Sequence, residues 1–208
     1  MPAMLFTLLC VAALLVAVYR DSRRGVWLAK PLAATGFIAV ALIAGALESG
    51  YGRLILVALV LSWFGDVFLI PRDKPRIFKV GILSFLLAHL AFCGAFVALG
   101  VSPGGAGIAL LIAMLLGLLV LRWLRSHIPS EMKYAVYAYM VVISTMLVCA
   151  AGTLWNPRGP VILVGAAMFY VSDLAVARER FVTPSFSNRA WGLPLYFGAQ
   201  LLLASSVS

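Results

Sequence analysis

Eight stretches of almost unbroken apolar sequence follow one another along the chain, and nothing else in it constrains the fold as strongly. Their cores are Ala3–Tyr19, Lys30–Leu47, Leu54–Ile70, Val80–Leu99, Ile108–Leu121, Tyr134–Thr153, Val161–Ala177 and Leu195–Val207. Each approaches the ~20 helical residues that cross about 30 Å of hydrocarbon. Composition removes the soluble alternative. Of the 208 residues, 64% are apolar and 11% charged, against about 45–50% and about 25% in soluble domains. A globular core of this size cannot bury so much apolar surface, so lipid must be the solvent. Disorder, a coiled coil and a disulfide-rich secreted scaffold are excluded on the same numbers. The expected fold is all-α, a polytopic membrane bundle of eight transmembrane helices forming a single integral-membrane domain over residues 1–208.

The breaks between the stretches are polar or carry Gly or Pro: Arg20–Gly25, Glu48–Arg53, Pro71–Lys79, Val101–Gly107, Arg122–Lys133, Trp155–Pro160 and Arg178–Pro194. None is long enough for a separate domain. Gly104, Gly105 and Gly107 read as loop, and no Lys-Ser/Thr pair follows them to make a phosphate-binding loop. The first stretch does not read as a cleaved signal, because Arg20, Arg23 and Arg24 follow it and a signal is preceded by its charges.

Those charges orient the protein. Of the 16 Lys and Arg residues, all but Arg53 and Arg158 lie in or beside the first, third, fifth and seventh connections. By the positive-inside rule these connections face the cytoplasm and both termini lie outside it. The net charge of +9 is therefore a topology signal, and a nucleic-acid partner is not expected. Trp27, Trp123, Trp155 and Trp191 stand at segment ends, as interfacial anchors do. Short connections and an Ala/Leu/Arg-rich composition suggest a bacterial cytoplasmic membrane. Asp66 and Asp173 are 107 residues apart, close to half the chain, each near the end of the third helix of a four-helix half. With an even number of helices per half, a repeat would be parallel.

Ionisable side chains cost at least about 2.5–3.5 kcal/mol each near the bilayer midplane, so the few present are informative. Asp66 and Asp173 each sit about four residues inside the cytoplasmic end of their stretch. His89 lies near mid-membrane, Gln200 about six residues into the last stretch, and Lys30 opens the second, just before Pro31. Ser62 precedes Asp66 by four residues, and Tyr196 precedes Gln200 by four, so each pair shares a helix face. Together these residues are expected to form one polar pocket opening towards the cytoplasmic leaflet. The plain readings are interfacial ion pairs of the aspartates with Arg72 and Arg178, interhelical hydrogen bonds for His89 and Gln200, and a snorkelling Lys30. Cys10, Cys93 and Cys149 read as buried fillers, with no metal-ligand spacing. No GxSxG, HExxH or calcium-loop pattern is present. Two carboxyls on one pocket are the chemically loaded feature. Burial and a neighbouring carboxylate keep one of such a pair protonated, so one can act as acid and the other as base, as in glycoside hydrolysis.

The residues carry a resemblance. Lys30-Pro31-Leu32, Gly65-Asp66-x-Phe68-Leu69, Phe78-x-x-Gly81-x-x-x-Phe85-x-x-x-His89, Tyr139-x-x-x-Ile143-x-x-Met146, Gly165-x-x-x-Phe169-x-x-Ser172-Asp173 with Phe181, and Tyr196-x-x-Ala199-Gln200-x-Leu202 occur in that order over most of the chain. In order and spacing they resemble the YhhN / lysoplasmalogenase-like family of eight-helix membrane proteins. Phe92 stands where that family often has Tyr. The resemblance implies hydrolysis of the vinyl-ether bond of lysoplasmalogens, with a lysophospholipid as substrate, membrane lipid around it, and no metal or organic cofactor. It implies Asp66 and Asp173 as the catalytic pair. Substrate contacts are then expected from Lys30, His89, Tyr139, Ser172, Tyr196 and Gln200, Lys30 meeting the lipid phosphate as a point charge. The same buried aspartates would also serve a proton-coupled transporter, with His89 in the relay. Gly65-Asp66 superficially resembles an intramembrane aspartyl protease, which is the third and weakest reading.

Overall fold

The computed structural model describes residues 2–71 and 74–208. Its eight α-helices are α1 (Pro2–Tyr19), α2 (Arg23–Ile43), α3 (Gly50–Phe68), α4 (Pro75–Leu99), α5 (Pro103–Leu124), α6 (Lys133–Gly152), α7 (Gly159–Ala177) and α8 (Phe186–Ser205), with no strand among the described residues. A π-helical turn, Arg178–Val182, continues α7. Seven of the helices are long and apolar enough to cross a membrane. The remaining one, α8, has Ser187, Asn188 and Arg189 in its first turn. It nonetheless runs the height of the bundle. Its middle reaches Asp66 near the end of α3, and its end reaches the start of α3, where Tyr51 Oη and Ser206 Oγ lie 2.6 Å apart.

Several helices start earlier than the sequence expectation: α3 opens at Gly50 instead of Leu54 and α4 at Pro75 instead of Val80, and three further starts show why. α2 begins at Arg23, not Lys30, because the Ser22 hydroxyl accepts from Gly25 N and caps the helix. It ends at Ile43, short of Leu47, where Gly45 turns the chain with a φ of +85°. α5 begins at Pro103, so Gly104, Gly105 and Gly107 are helical rather than loop. Proline suits the first helical position. A Cβ at Gly105 would lie 2.8 Å from the Ala151 carbonyl oxygen, so glycine lets α5 start against the end of α6. α8 begins at Phe186 instead of Leu195 and continues through Pro194, its first turn capped by the Ser185 hydroxyl.

α8 is the central helix, packed on α7, α1, α2 and α3, whereas α5 packs chiefly on α6. α5 buries only Ala113 and Leu124, leaving its other Leu, Ile and Met side chains outward, as lipid requires. Small residues bring the inner helices together. A Cβ at Gly65 would meet the Phe85 ring at 2.6 Å, and one at Gly192 would meet the Ala175 Cβ at 2.5 Å. These two contacts close α3 on α4 and α7 on α8 immediately beside the two aspartates.

Candidate functional site

A cavity of about 460 Å³ opens at the end of the bundle where α7 passes into α8. Apolar side chains make up most of its wall, among them Leu14, Val18, Ile82, Phe85 and Ile143. Lys30, Asp66, Tyr139, Ser172, Asp173 and Tyr196 all reach it. Thus six of the eight residues singled out from the sequence line one cavity. The other two, His89 and Gln200, are fully buried in the wall behind it.

Asp66, on the last turn of α3, is 1% exposed. Lys30 Nζ lies 3.0 Å from its Oδ1 and donates to its backbone carbonyl at 3.1 Å. Tyr196 Oη donates to Oδ2 at 2.5 Å and itself accepts from Gln200 Nε2 at 3.1 Å. The carboxyl is therefore held by a cation on one oxygen and a phenol on the other. Because α2 starts earlier than expected, Lys30 sits two turns inside it, where it meets Asp66 instead of opening the helix. Arg72, the expected interfacial partner of Asp66, lies outside the described residues.

Among the described residues no Lys or Arg pairs with Asp173. Tyr139 Oη donates to its Oδ2 at 2.6 Å, and His89 Nε2 stands 3.9 Å from the same oxygen. No ion pair joins it to Arg178 among the described residues. His89 Nδ1 is bonded to the Phe85 carbonyl one turn back. The neighbouring Ser172 hydroxyl is turned into its own helix, donating to the Phe169 carbonyl at 2.7 Å. Ser62, expected on the face of Asp66, is buried, and its hydroxyl has no partner among the described residues.

The sequence reading missed the mouth of the cavity. Glu179 accepts from Ser185 N at 2.7 Å, from Asn188 Nδ2 at 3.0 Å and from Arg189 Nε at 2.9 Å, with Arg189 Nη2 closing an ion pair. Asn188 also donates to the Thr183 carbonyl at 2.8 Å. This network ties the π-helical turn to the start of α8 and lets that polar turn form. Its one signal in the sequence was an acid within a basic connection. Arg180 lies over the Phe78 ring at 4.1 Å. Among the described residues no group of three His, Cys, Asp or Glu side chains is placed to hold a metal.

Comparison with known proteins adds a family. Residues 25–207 match the model of the YhhN family. The chain is 34% identical over 158 residues to lysoplasmalogenase TMEM86A of Bos taurus, covering 73% of this chain and 64% of that protein. It is 32% identical over 161 residues to lysoplasmalogenase TMEM86B of Sus scrofa, covering 76% and 65%. With a lysoplasmalogenase of Mycobacterium bovis it shares 32% over 185 residues, covering 81% and 66%. The chain thus spans just under two thirds of the length of these relatives. No solved structure matches it.

Proposed function

The chain belongs to the YhhN family, and on that premise we propose that it is an integral-membrane hydrolase of lysoplasmalogens. It cleaves the vinyl-ether bond to give a fatty aldehyde and glycerophosphocholine or glycerophosphoethanolamine. The names of the relatives support this reading. The observation that carries it is the pair of aspartates on one apolar-walled cavity, one held by a cation and the other by a phenol.

Vinyl ethers hydrolyse through protonation of the β-carbon, which leaves an oxocarbenium ion. Asp173, with no Lys or Arg paired to it among the described residues, is the proton donor in this scheme. Asp66, kept anionic by Lys30 and oriented by Tyr196, is the fixed negative charge that stabilises the oxocarbenium centre. Such preorganised charge is strongest where water is excluded. Water adds to the cation, and the hemiacetal collapses to aldehyde and alcohol. No metal or organic cofactor enters the scheme. Lys30 serves Asp66 in this assignment, and the alkenyl chain occupies the apolar part of the cavity. Since the cavity opens at the end of the bundle bearing the basic connections, the substrate comes from the cytoplasmic leaflet and both termini lie outside the cytoplasm. A bacterial cytoplasmic membrane suits this arrangement.

The test is aldehyde release from a lysoplasmalogen by purified protein in detergent. The analogue with a saturated ether should bind without reacting, since it has no β-carbon to protonate. No aldehyde release, together with proton-coupled solute flux in vesicles, would replace this reading with a carrier using the same aspartates.

A further inference from the structure

The wall behind Asp173 holds a polar atom that the scheme above leaves idle. His89 is fully buried on α4, and its Nδ1 is bonded to the Phe85 carbonyl. A carbonyl oxygen only accepts, so Nδ1 carries the ring hydrogen and Nε2 of the neutral ring is left as an acceptor. Nε2 has no hydrogen-bond partner among the described residues. The rings of Phe169 and Tyr139, with centroids 4.6 Å and 5.2 Å away, hold the imidazole edge-on and keep Nε2 facing Asp173. Its 3.9 Å separation from Asp173 Oδ2 is too long for a direct hydrogen bond. A water donating to both atoms would satisfy Nε2, and the proposed reaction consumes one such molecule.

Resting on the hydrolase reading, we infer that a water bridges His89 Nε2 and Asp173 Oδ2, and that this is the water the reaction consumes. With hydrogen bonds of about 2.8 Å to both atoms, a water spanning the 3.9 Å gap subtends about 90°. That is close to the angle between its own two O–H bonds, so it donates to both acceptors and turns its lone pairs away from them. Oδ2 already accepts from Tyr139, which leaves Oδ1 to carry the acid proton. Asp173 gives that proton to the β-carbon and becomes a carboxylate. The water oxygen then bonds to the oxocarbenium carbon, whose C–O π pair returns to the ether oxygen. The water proton donated to Oδ2 passes to Asp173, and a flip of the carboxyl returns that proton to the position that faces the substrate, restoring the acid. The hemiacetal loses its hydroxyl proton as the glyceryl oxygen gains one, the C–O bond breaks, and no oxidant or reductant is involved. His89 is a positioning residue here. It orients the water and exchanges no proton with the substrate.

Two measurements test this, one of them independent of turnover. The chain has two histidines, so His127→Gln assigns the ring-15N signals of His89 in lipid-reconstituted protein. Solid-state NMR should find Nε2 unprotonated and correlated with water protons. A protonated Nε2 paired directly with Asp173, or one without a water correlation, overturns the site even if the enzyme is active. In turnover, His89→Leu should lower kcat about 100-fold with KM nearly unchanged, the scale of loss when a reacting group is misplaced. His89→Gln, whose side-chain carbonyl can still accept, should recover about tenfold of that loss. In D2O the Leu variant should return unreacted lysoplasmalogen carrying deuterium at the vinyl β-carbon, because an oxocarbenium ion deprived of water reverts. A folded Leu variant that loses turnover without this exchange overturns the water's role. A wild type with the water-correlated Nε2 but no aldehyde release upholds the water site and overturns the lysoplasmalogen reading instead.

Discussion

Asp66 and Asp173 are the same residue at corresponding ends of α3 and α7, yet the bundle gives them opposite company. Asp66 has a lysine on one oxygen and a tyrosine on the other, and its side chain is 2% exposed. Asp173 has a tyrosine and an imidazole on a single oxygen, with its side chain 19% exposed. The contrast shows that a carboxyl's surroundings in a membrane are set by helices far away in sequence. The offset of 107 residues between the aspartates also separates His89 from Tyr196. Each aspartate therefore faces a residue from the last helix of the other half of the chain. We propose that the halves are two parallel four-helix repeats; this exchange is then how they interlock, and divergence at the facing residues separates the charge-stabilising site from the proton-donating one.

The largest effect should come from removing either carboxyl. Asp66→Asn and Asp173→Asn each keep size and most hydrogen bonding, but lose the anion or the acidic proton. Each should lower aldehyde release by on the order of 10²–10⁴ while the protein still elutes as a folded species. The double variant should be little worse than either single one, because the pair acts as a unit. Near-wild-type turnover in either folded variant would remove that residue from the chemistry and end the comparison.

Next in size is a stability difference confined to one side. Lys30→Met strips the cation from a carboxylate that has almost no solvent, and breaking a buried pair this way costs about 3–5 kcal/mol. Adding Asp66→Asn should restore most of that stability but none of the activity. Asp173→Asn alone should be close to neutral, since no cation is left stranded. Denaturation in detergent micelles measures all four proteins, and equal losses at the two sites would show that their charges do not differ.

Much of this molecule can be read locally, and the comparison marks where local reading stops. The eight helices follow from apolar runs that nothing but lipid could accommodate. Tyr196–Gln200 follows from helical spacing, whereas the same spacing at Ser62 and Asp66 leads to no hydrogen bond, the Ser62 hydroxyl having no partner among the described residues. The partners that distinguish the aspartates do not follow from spacing, because Lys30 reaches Asp66 across 36 residues and Tyr139 reaches Asp173 across 34. The helix starts were hidden for a similar reason. The glycines at the start of α5 look like loop until Ala151 is packed against them. The polar first turn of α8 reads as a connection until Glu179 satisfies Asn188 and Arg189.

A smaller effect separates the two tyrosines. Tyr196→Phe removes a donor from a charged carboxylate, a loss of about 1.5–3 kcal/mol, and Tyr139→Phe removes one from a neutral acid, about 0.5–1.5 kcal/mol. Tyr196 also accepts from Gln200, so its loss strands that amide as well. Unfolding measurements should therefore rank Tyr196→Phe as the more damaging. The reverse order would mean that the charged carboxyl is Asp173.

The smallest effect should lie at the cavity mouth, away from both carboxyls. Glu179→Gln keeps a side-chain oxygen to accept from Ser185 N and Asn188, and removes only the charge facing Arg189. Both members of that ion pair are 20% exposed. Pairs in contact with solvent contribute about 0–1 kcal/mol, and the stability change should fall in that range. It should shrink further in high salt, where solvent screens such charges. Because Glu179 touches neither aspartate, kcat should stay at the wild-type value. Any kinetic change should appear in KM, since the network ties together the two segments through which a lipid would pass. A fall in kcat matching that of Asp66→Asn would place the mouth within the catalytic machinery, and the contrast between Asp66 and Asp173 would then be an incomplete account of the site.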